Sequence, residues 1–504
     1  MADNSRQELT WLANSVLQPG FEGTTAPDWV RRRIAEGLAS VVLFGRNIVS
    51  PEQVAALTAS LRAENPDLII AIDEEAGDVT RLEARTGASR PGNLALGAID
   101  DVDLTEQVAR DIGRALRDVG VSLNYAPSAD VNSNPMNPVI GVRSFGARTD
   151  VVSRHTAAWV RGLQSAGVAA CAKHFPGHGD TNVDSHHGLP QVSADALSIA
   201  RTALPPFIAA MEAGARTVMT AHMLIPAYDA ELPATLSHRI IEGLLRGELG
   251  FDGLVVTDGI EMGAVSDRYG IGGATVKAVA GGVDAVCVGG ESAKESTTAE
   301  LADALVHGVL DGTLPEARLS EAAARVREFA SWSAGLSRAA TRDDKHSDIG
   351  LVAARRAVHV HRKPDTGAEF PLVGDAHVVE LTPLMNLAID GGTPWGVADP
   401  LRSLRPGTTS VRIGESELSV GDDLLDRVAI GPATGRALVV VVRDVARYGW
   451  MAQALASLVR RRPDAVVVEM GVPTDKRPGA VHLATHGATR VSGTAAAEVL
   501  VGVR

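Results

Sequence analysis

Residues 168–190 read VAACAKHFPGHGDTNVDSHHGLP, and the fold prediction starts from them. Its first five residues, 168–172, form the apolar run that is typical of a short buried strand. Lys173 and His174 follow directly, and after them comes a loop dense in glycine, histidine and aspartate. α/β barrels build their active sites from loops that follow buried strands in this way. The stretch therefore predicts both a parallel-strand scaffold and a loop that carries chemistry.

The alternation of apolar strands and helices continues on both sides of this stretch. About eight strand-like runs alternate with helical patterns, which is the number that a closed β/α barrel requires. Two of the helical patterns, 27–36 and 51–63, open with proline, which suits the first turn of a helix. We therefore predict a TIM-type (β/α)8 barrel over residues 1–330. Its predicted strands are 15–17, 40–44, 68–72, 122–125, 169–172, 217–220, 254–257 and 284–288.

The sequence beyond residue 330 predicts a second domain. Residues 331–350 are polar and lose the periodic pattern, so we interpret them as a linker between domains. Strand-like runs then return, with helical patterns between them, and we predict that residues 351–504 form a smaller α/β domain with a mostly parallel sheet. The predicted strands there are 358–360, 378–381, 437–442 and 465–468.

Composition and charge limit the classes of partner and substrate. The formal net charge of −13 argues against a nucleic acid or an anionic membrane as partner, because either would need a basic face. The N-terminus lacks a basic segment followed by an apolar run, and both cysteines lie in apolar runs. We therefore expect no signal peptide, no membrane span and a cytoplasmic location. The aromatic content of 4% favours a small soluble substrate over a long polysaccharide.

Ionisable residues follow several of the predicted barrel strands, and the carboxyl ends of barrel strands share one face. We therefore expect these residues to converge on one mouth. Asp258 comes directly after a strand and is followed by glycine, although an aspartate there is also typical of a helix cap. The strand-end residues are Asp73, Glu74, Glu75, Asp130, Lys173, His174, His222 and Asp258.

The glycine-rich loop contains a candidate general acid/base. Asp184 and His186 are two residues apart, so in an extended segment they share a face. A carboxylate bonded to one ring nitrogen fixes the tautomer of a histidine and raises its basicity. The alternative interpretation is that Asp184 and His186 are solvated residues of a surface loop.

The histidines and aspartates of the same loop also suggest a metal site. Their spacing matches no zinc signature, so we predict no metal and no cofactor. These residues are His174, His178, Asp180, Asp184, His186 and His187.

Residues 173–190, together with 257–262 (TDGIEM), resemble glycoside hydrolase family 3, in particular the branch of β-N-acetylglucosaminidases that removes terminal N-acetylglucosamine. Residues 73–82 and 132–146 support the resemblance, which covers roughly residues 5–330. It implies that Asp258 is the nucleophile and that His186 is the acid/base, with Asp184 as its partner. The resemblance further implies sugar-binding positions at Asp73, Arg81, Arg143, Lys173 and His174, and an α/β sandwich as the second domain.

The segment after Asp73 departs from the family pattern. The usual residues after the substrate-binding aspartate are Gln-Glu-Gly-Gly-Arg, whereas this chain has Glu74-Glu75-Ala76-Gly77-Asp78. An acid therefore replaces the arginine, and this leaves the finer sugar preference open.

The leading hypothesis is a retaining β-N-acetylglucosaminidase that acts on small cell-wall or chitin-derived fragments during cell-wall recycling. Retaining glycosidases need a nucleophile and an acid/base, usually two carboxylates about 5 Å apart, and here a His-Asp dyad replaces one of them. The closest alternative is phosphorolysis, since a histidine repels incoming phosphate less than a glutamate does. Two further hypotheses are an acid/base at Glu469 of the second domain and a sugar-binding module without catalysis. The presence of Asp258, Asp184 and His186 argues against the binding module.

Overall fold

The structure, a computed structural model, describes residues 2–185, 188–340, 348–364, 366–384, 388–418 and 423–503. Contacts divide the chain into two compact units. The first comprises Met1–Glu75, Val102–Ile140 and Ala147–Lys345, and the second comprises Ala76–Asp101, Gly141–Gly146 and His346–Arg504. His186 and His187 lie outside the described residues.

Strands and helices alternate along most of the chain. The strands are β1 (Leu17–Pro19), β2 (Ser40–Leu43), β3 (Ile69–Ile72), β4 (Leu123–Asn124), β5 (Ala169–Phe175), β6 (Thr217–Thr220), β7 (Leu254–Thr257), β8 (Val286–Val288), β9 (His359–Arg362), β10 (Ala376–Leu381), β11 (Thr409–Ile413), β12 (Ala437–Val442), β13 (Val466–Glu469) and β14 (Val481–Ala484). The α-helices are α1 (Ala2–Ser15), α2 (Asp28–Ala35), α3 (Pro51–Arg62), α4 (Asn93–Ile99), α5 (Val102–Asp118), α6 (Thr149–Ser165), α7 (Ala196–Thr202), α8 (Pro205–Glu212), α9 (Gly263–Tyr269), α10 (Ile271–Gly281), α11 (Glu295–Leu310), α12 (Glu316–Ala339), α13 (Ile349–Ala357), α14 (Ala398–Leu404), α15 (Glu415–Leu418), α16 (Gly449–Arg461) and α17 (Arg490–Val501). Two π-helical segments lie at Arg239–Glu248 and Asp426–Ile430, and single 3-10 turns lie at Gly45–Asn47, Gly141–Arg143, Ala234–Leu236 and Gly290–Ser292.

The first unit is a barrel of eight parallel strands. Strands β2 to β7 pair in sequence order, and β1 pairs with β8. A bridge between Val256 and Ala285 joins β7 to β8, and the Ser40 hydroxyl donates to the Leu17 carbonyl (3.2 Å), which joins β2 to β1. The ring is thereby closed, and the TIM-type barrel predicted from the sequence is confirmed.

Helix α12 corrects the predicted linker. Its residues Val326, Phe329 and Ala330 are buried with the side chains that fill the barrel interior, and Trp332 packs against the same cluster. Residues 331–339, predicted as part of a linker, therefore continue a helix because this apolar stripe is buried against the barrel. Residues 341–347 lie outside the described part of the chain.

The second unit contains a six-stranded sheet in the order β11-β10-β12-β13-β14-β9. Strands β11 to β14 are parallel, and β9 is antiparallel to β14. Alternate residues of the central strands face two separate apolar clusters, so helices cover both faces. This matches the predicted second α/β domain, but the unit also contains residues 76–101 and 141–146, which the sequence placed with the barrel.

Among the described residues, the structure contains no helix whose length and apolarity would allow it to cross a membrane.

Candidate active site

A buried lysine joins the ends of two barrel strands. Strand β5 extends three residues beyond its predicted end and includes Lys173, whose side chain is 2% exposed. Its Nζ lies 2.6 Å from Oδ1 of Asp73, the residue directly after β3, and 2.7 Å from Oε1 of Glu75. The Asp73 side chain is 21% exposed, whereas that of Glu75 is buried. Asp73 is therefore the member of this cluster that a ligand in the barrel mouth can reach.

Asp130 orients His174, the residue that follows Lys173. Its Oδ2 lies 2.7 Å from Nδ1 of His174, and its Oδ1 accepts the backbone N–H groups of His174 (3.2 Å) and His178 (2.6 Å). Burial alone would raise the pKa of Asp130, but the charge and hydrogen bonds of the two histidines hold it below the ordinary value. An ionised Asp130 accepts the Nδ1 proton, and this fixes the tautomer and orientation of the His174 ring.

His178 holds the loop that follows β5. Its Nδ1 lies 2.7 Å from the Thr181 hydroxyl, its Nε2 lies 3.4 Å from the Ser185 hydroxyl, and its carbonyl accepts from Asn137 Nδ2 (2.9 Å). Burial, helped by the neighbouring His174, lowers the pKa of His178 to about 4. The ring is therefore neutral at pH 7, and its hydrogen bonds order the loop as far as Ser185, the residue after Asp184.

Asp258 lies directly after β7 and is half-buried. Its Oδ1 accepts the N–H of Gly259 (2.8 Å), and its own N–H donates to the Thr220 carbonyl (3.2 Å). The buried His222 supports the same backbone, since its Nε2 lies 2.9 Å from the Gly259 carbonyl. The alternative role as a helix cap is wrong, because the next helix, α9, begins at Gly263 and follows Met262 as its N-cap.

Strands β3, β5 and β7 are parallel members of one closed ring, so the residues at their carboxyl ends lie on the same face of the barrel. Burial raises the pKa of the Cys171 thiol above its ordinary value. Cys171 lies in β5, on the inside of the barrel. Asp73, Lys173 and Asp258, at the ends of β3, β5 and β7, therefore lie at the same end of the barrel.

The other predicted site residues belong to the loop after β5 or to the second unit. Asp184 is half-buried in the loop, and its carbonyl accepts the N–H of Gly188 (3.2 Å), but His186 lies outside the described residues, so the dyad stays a prediction. Arg81 and Arg143 belong to the second unit. Within the described ranges, no group of three or more histidine, cysteine or acidic side chains is placed to hold a metal ion.

Two contacts of this site were not anticipated from the sequence. Asp130 and Glu75 were noted as strand-end residues but were given no role. Their partners, His174 and Lys173, lie on a different strand, β5, further along the chain. The signal that could have indicated these contacts is the position of the residues along the chain, because polar residues that follow different strands of one barrel face the same mouth.

Comparison with known proteins places this chain among glycoside hydrolases. Residues 24–329 match the family described as Glycosyl hydrolase family 3 N terminal domain. Beta-hexosaminidase A of Pseudoalteromonas piscicida is 39% identical over 284 residues, which are 52% of this chain and 47% of that relative, so the chain spans about half of its length. The beta-hexosaminidase of Chromobacterium violaceum is 34% identical over 367 residues, which are 71% of this chain and 96% of that relative. The structure of a glycoside hydrolase family 3 beta-N-acetylglucosaminidase from Paenibacillus sp. is similar with a TM-score of 0.85 and 33% identity, covering 98% of this chain and 96% of that one.

Proposed function

The chain belongs to glycoside hydrolase family 3, and on that premise we propose that it is a β-N-acetylhexosaminidase that removes terminal β-linked N-acetylglucosamine from small glycosides. One observation carries the proposal. Asp258, the Lys173–Asp73 pair and His174 lie at the carboxyl ends of parallel strands of one barrel, in a chain whose relatives are named β-hexosaminidases.

The cluster at the ends of β3 and β5 binds the sugar. Lys173 is a donor with two carboxylates against it, and Asp73 is the acceptor that a ligand can reach. A carboxylate has about four acceptor positions, so Asp73 can accept sugar hydroxyls while it stays bonded to Lys173. His174, oriented by Asp130, adds a further polar contact. Arg81 and Arg143 are assigned to the sugar hydroxyls and the N-acetyl group by the family resemblance.

The reaction proceeds in two steps. Asp258 attacks the anomeric carbon while His186, with Asp184 as partner, protonates the leaving oxygen, and a covalent glycosyl-aspartate forms. Water then attacks this intermediate, His186 takes its proton, and the sugar leaves with its original anomeric configuration. Burial lowers the pKa of His178 to about 4, so this ring is neutral at pH 7 and is not a candidate for the acid.

We further propose that the natural substrates are small cell-wall or chitin-derived fragments and that the protein is cytoplasmic. The low aromatic content supports a small substrate, because long polysaccharides are commonly gripped by stacked rings.

Product analysis tests the proposal. The protein is incubated with a β-N-acetylglucosaminide, with and without phosphate, and the first products are followed by NMR. The β-anomer of N-acetylglucosamine should appear first in both buffers. N-acetylglucosamine 1-phosphate would instead establish the phosphorolysis alternative.

The matched variant is Asp258→Asn, which keeps the shape of the side chain and the N–H bond from Gly259. Its turnover should fall by at least about a thousandfold while the fold is retained, because it removes the nucleophile. Turnover near that of the natural protein would overturn the assignment of Asp258.

A further inference from the structure

Two segments that carry predicted sugar-binding arginines pack with the C-terminal part of the chain. Residues 76–101 contain Arg81, residues 141–146 contain Arg143, and both segments belong to the second compact unit. They also pack on each other. Asn93 Nδ2 donates to the Arg143 carbonyl (2.8 Å), and a Cβ at Gly97 would lie 1.8 Å from the Phe145 carbonyl oxygen.

Asp78 attaches the first segment through a buried side chain. Its side chain is 1% exposed, and it forms an ion pair with Arg443, the residue directly after β12. Its other carboxylate oxygen accepts the N–H of Ala488, shortly after β14 (2.9 Å). The Arg443 guanidinium also lies 5.5 Å from the centroid of the Trp395 ring. One carboxylate thus joins the segment to the loops that follow two strands of the second sheet.

The turn around Asp78 is tight. Ala76 and Val79 form an antiparallel bridge, and both Ala76 (φ 60°) and Gly77 (φ 68°) have positive φ. A Cβ at Gly77 would lie 2.4 Å from Cα of Gly92, so the turn has no space for a side chain at this position. Arg81 follows three residues after the anchored carboxylate, so its backbone is held within about 10 Å of it.

Further contacts join the same segment to residues beyond 346. Arg81 is held by one of them, since its Nη1 donates to the Ala388 carbonyl (3.0 Å). The other contacts hold the rest of the segment. They are the hydrogen bonds from Arg490 Nε to the Gly87 carbonyl (3.2 Å) and from the Val491 amide to the Ala88 carbonyl (3.4 Å), and the ion pair of Arg356 with Asp101 (2.8 Å).

We propose that Asp78 and Arg443 are positioning residues, whose ion pair fixes residues 76–101 on the second sheet and thereby places Arg81 for sugar binding. The departure from the family pattern has a physical reason in this chain, since an arginine at position 78 would face Arg443 with a like charge. The inference rests on the proposed function.

The test is Asp78→Asn, which removes the charge and keeps the side-chain shape. KM for an aryl N-acetylglucosaminide should rise about tenfold to a hundredfold with a smaller change in kcat, because misplaced binding residues weaken substrate binding. Arg443→Lys keeps the charge but loses the planar fork, and its rise in KM should be smaller. It also supplies the measurement if Asp78→Asn does not fold.

Glu498→Gln is the matched control. It breaks the Arg355–Glu498 ion pair (2.7 Å) of the same unit, which does not involve residues 76–101. This variant should lose stability and keep KM. If Asp78→Asn or Arg443→Lys leaves KM unchanged, or if Glu498→Gln raises it equally, the positioning role is refuted.

Hydrogen–deuterium exchange separates this inference from the proposed function. Peptides covering residues 79–101 should exchange faster in Asp78→Asn, or in Arg443→Lys, than in the natural protein and in Glu498→Gln. This readout needs no turnover. If exchange is unchanged, the positioning role of Asp78 and Arg443 is refuted even when the enzyme is active. If exchange is faster but the protein does not act on N-acetylglucosaminides, only the proposed function is refuted.

Discussion

Replacing Glu469 with glutamine should stabilise the protein at neutral pH and have little effect near pH 5. Glu469 ends β13 and is 1% exposed. Its Oε1 accepts the N–H groups of Asp444 (2.9 Å) and Gly471 (2.8 Å), whereas its Oε2 has no hydrogen-bond partner among the described residues. Burial, followed by the negative charge of Asp444, raises the pKa of this carboxyl to about 8 from 4.5.

The sign of the pH effect follows from proton binding. Between pH 4.5 and 8 the folded protein keeps a proton on Glu469 that the unfolded chain has lost. The stability associated with this group is therefore fully present below pH 4.5 and declines by up to about 1.4 kcal/mol per pH unit as the pH rises towards 8. A glutamine can keep both backbone hydrogen bonds through its oxygen, and it does not titrate. The advantage of Glu469→Gln should thus grow by about 3 kcal/mol between pH 5 and pH 7.5.

Urea unfolding of both proteins at a series of pH values measures this difference. Other titrating groups, including His482 and His486, are common to both proteins and cancel. A difference that stays constant with pH would mean that Glu469 titrates normally, and the reasoning from burial would be refuted. The same variant tests the hypothesis of an acid/base at Glu469, which requires that turnover collapse.

The remaining predictions concern Asp130 and His486. Asp130→Asn should lower kcat/KM about tenfold to a hundredfold, because His174 loses the partner that fixes its tautomer, and unchanged steady-state kinetics would contradict that role. Burial lowers the pKa of His486 to about 4 from 6.5, so the stability it contributes is full above pH 6.5 and is lost as the pH falls towards 4. Asparagine tolerates the positive φ of 59° at this position, so His486→Asn is the suitable variant. It should remove about 2 kcal/mol of the stability that the protein loses between pH 6.5 and pH 5. Urea unfolding at the two pH values measures this loss, and an equal loss in both proteins would contradict the prediction.

Much of the barrel could be predicted because its strands are buried on both faces and read as continuous apolar runs. Strand β5 ran past its predicted end because Lys173 and His174 keep the strand conformation although their side chains are polar. Strands β11 and β14 were missed: β11 is a largely exposed edge strand, and β14 has only four residues, one of them a histidine. The family prediction is confirmed by the comparisons.

The sequence predicts a site residue when its position after a barrel strand determines where it lies. It does not predict a residue whose location depends on a contact with a distant part of the chain. Asp73, Lys173 and Asp258 follow barrel strands, so topology alone brings them to one mouth. The partner of Asp78 lies 365 positions away, and no local pattern in the sequence indicates it. The assignment of Arg81 to the second unit depends on such distant contacts and was therefore missed.

The discontinuous second unit has a consequence for how the chain folds during synthesis. Residues 76–101 leave the ribosome early, but the sheet on which they pack is complete only after β14 has been made. At about 5–20 residues per second, the ribosome needs roughly 20 to 80 seconds for the intervening chain. During that time Asp78 has no Arg443 to pair with, and the buried faces of the segment are open to other chains. During synthesis, the barrel of this protein should therefore depend on chaperones for longer than a barrel whose loops all pack within the barrel domain.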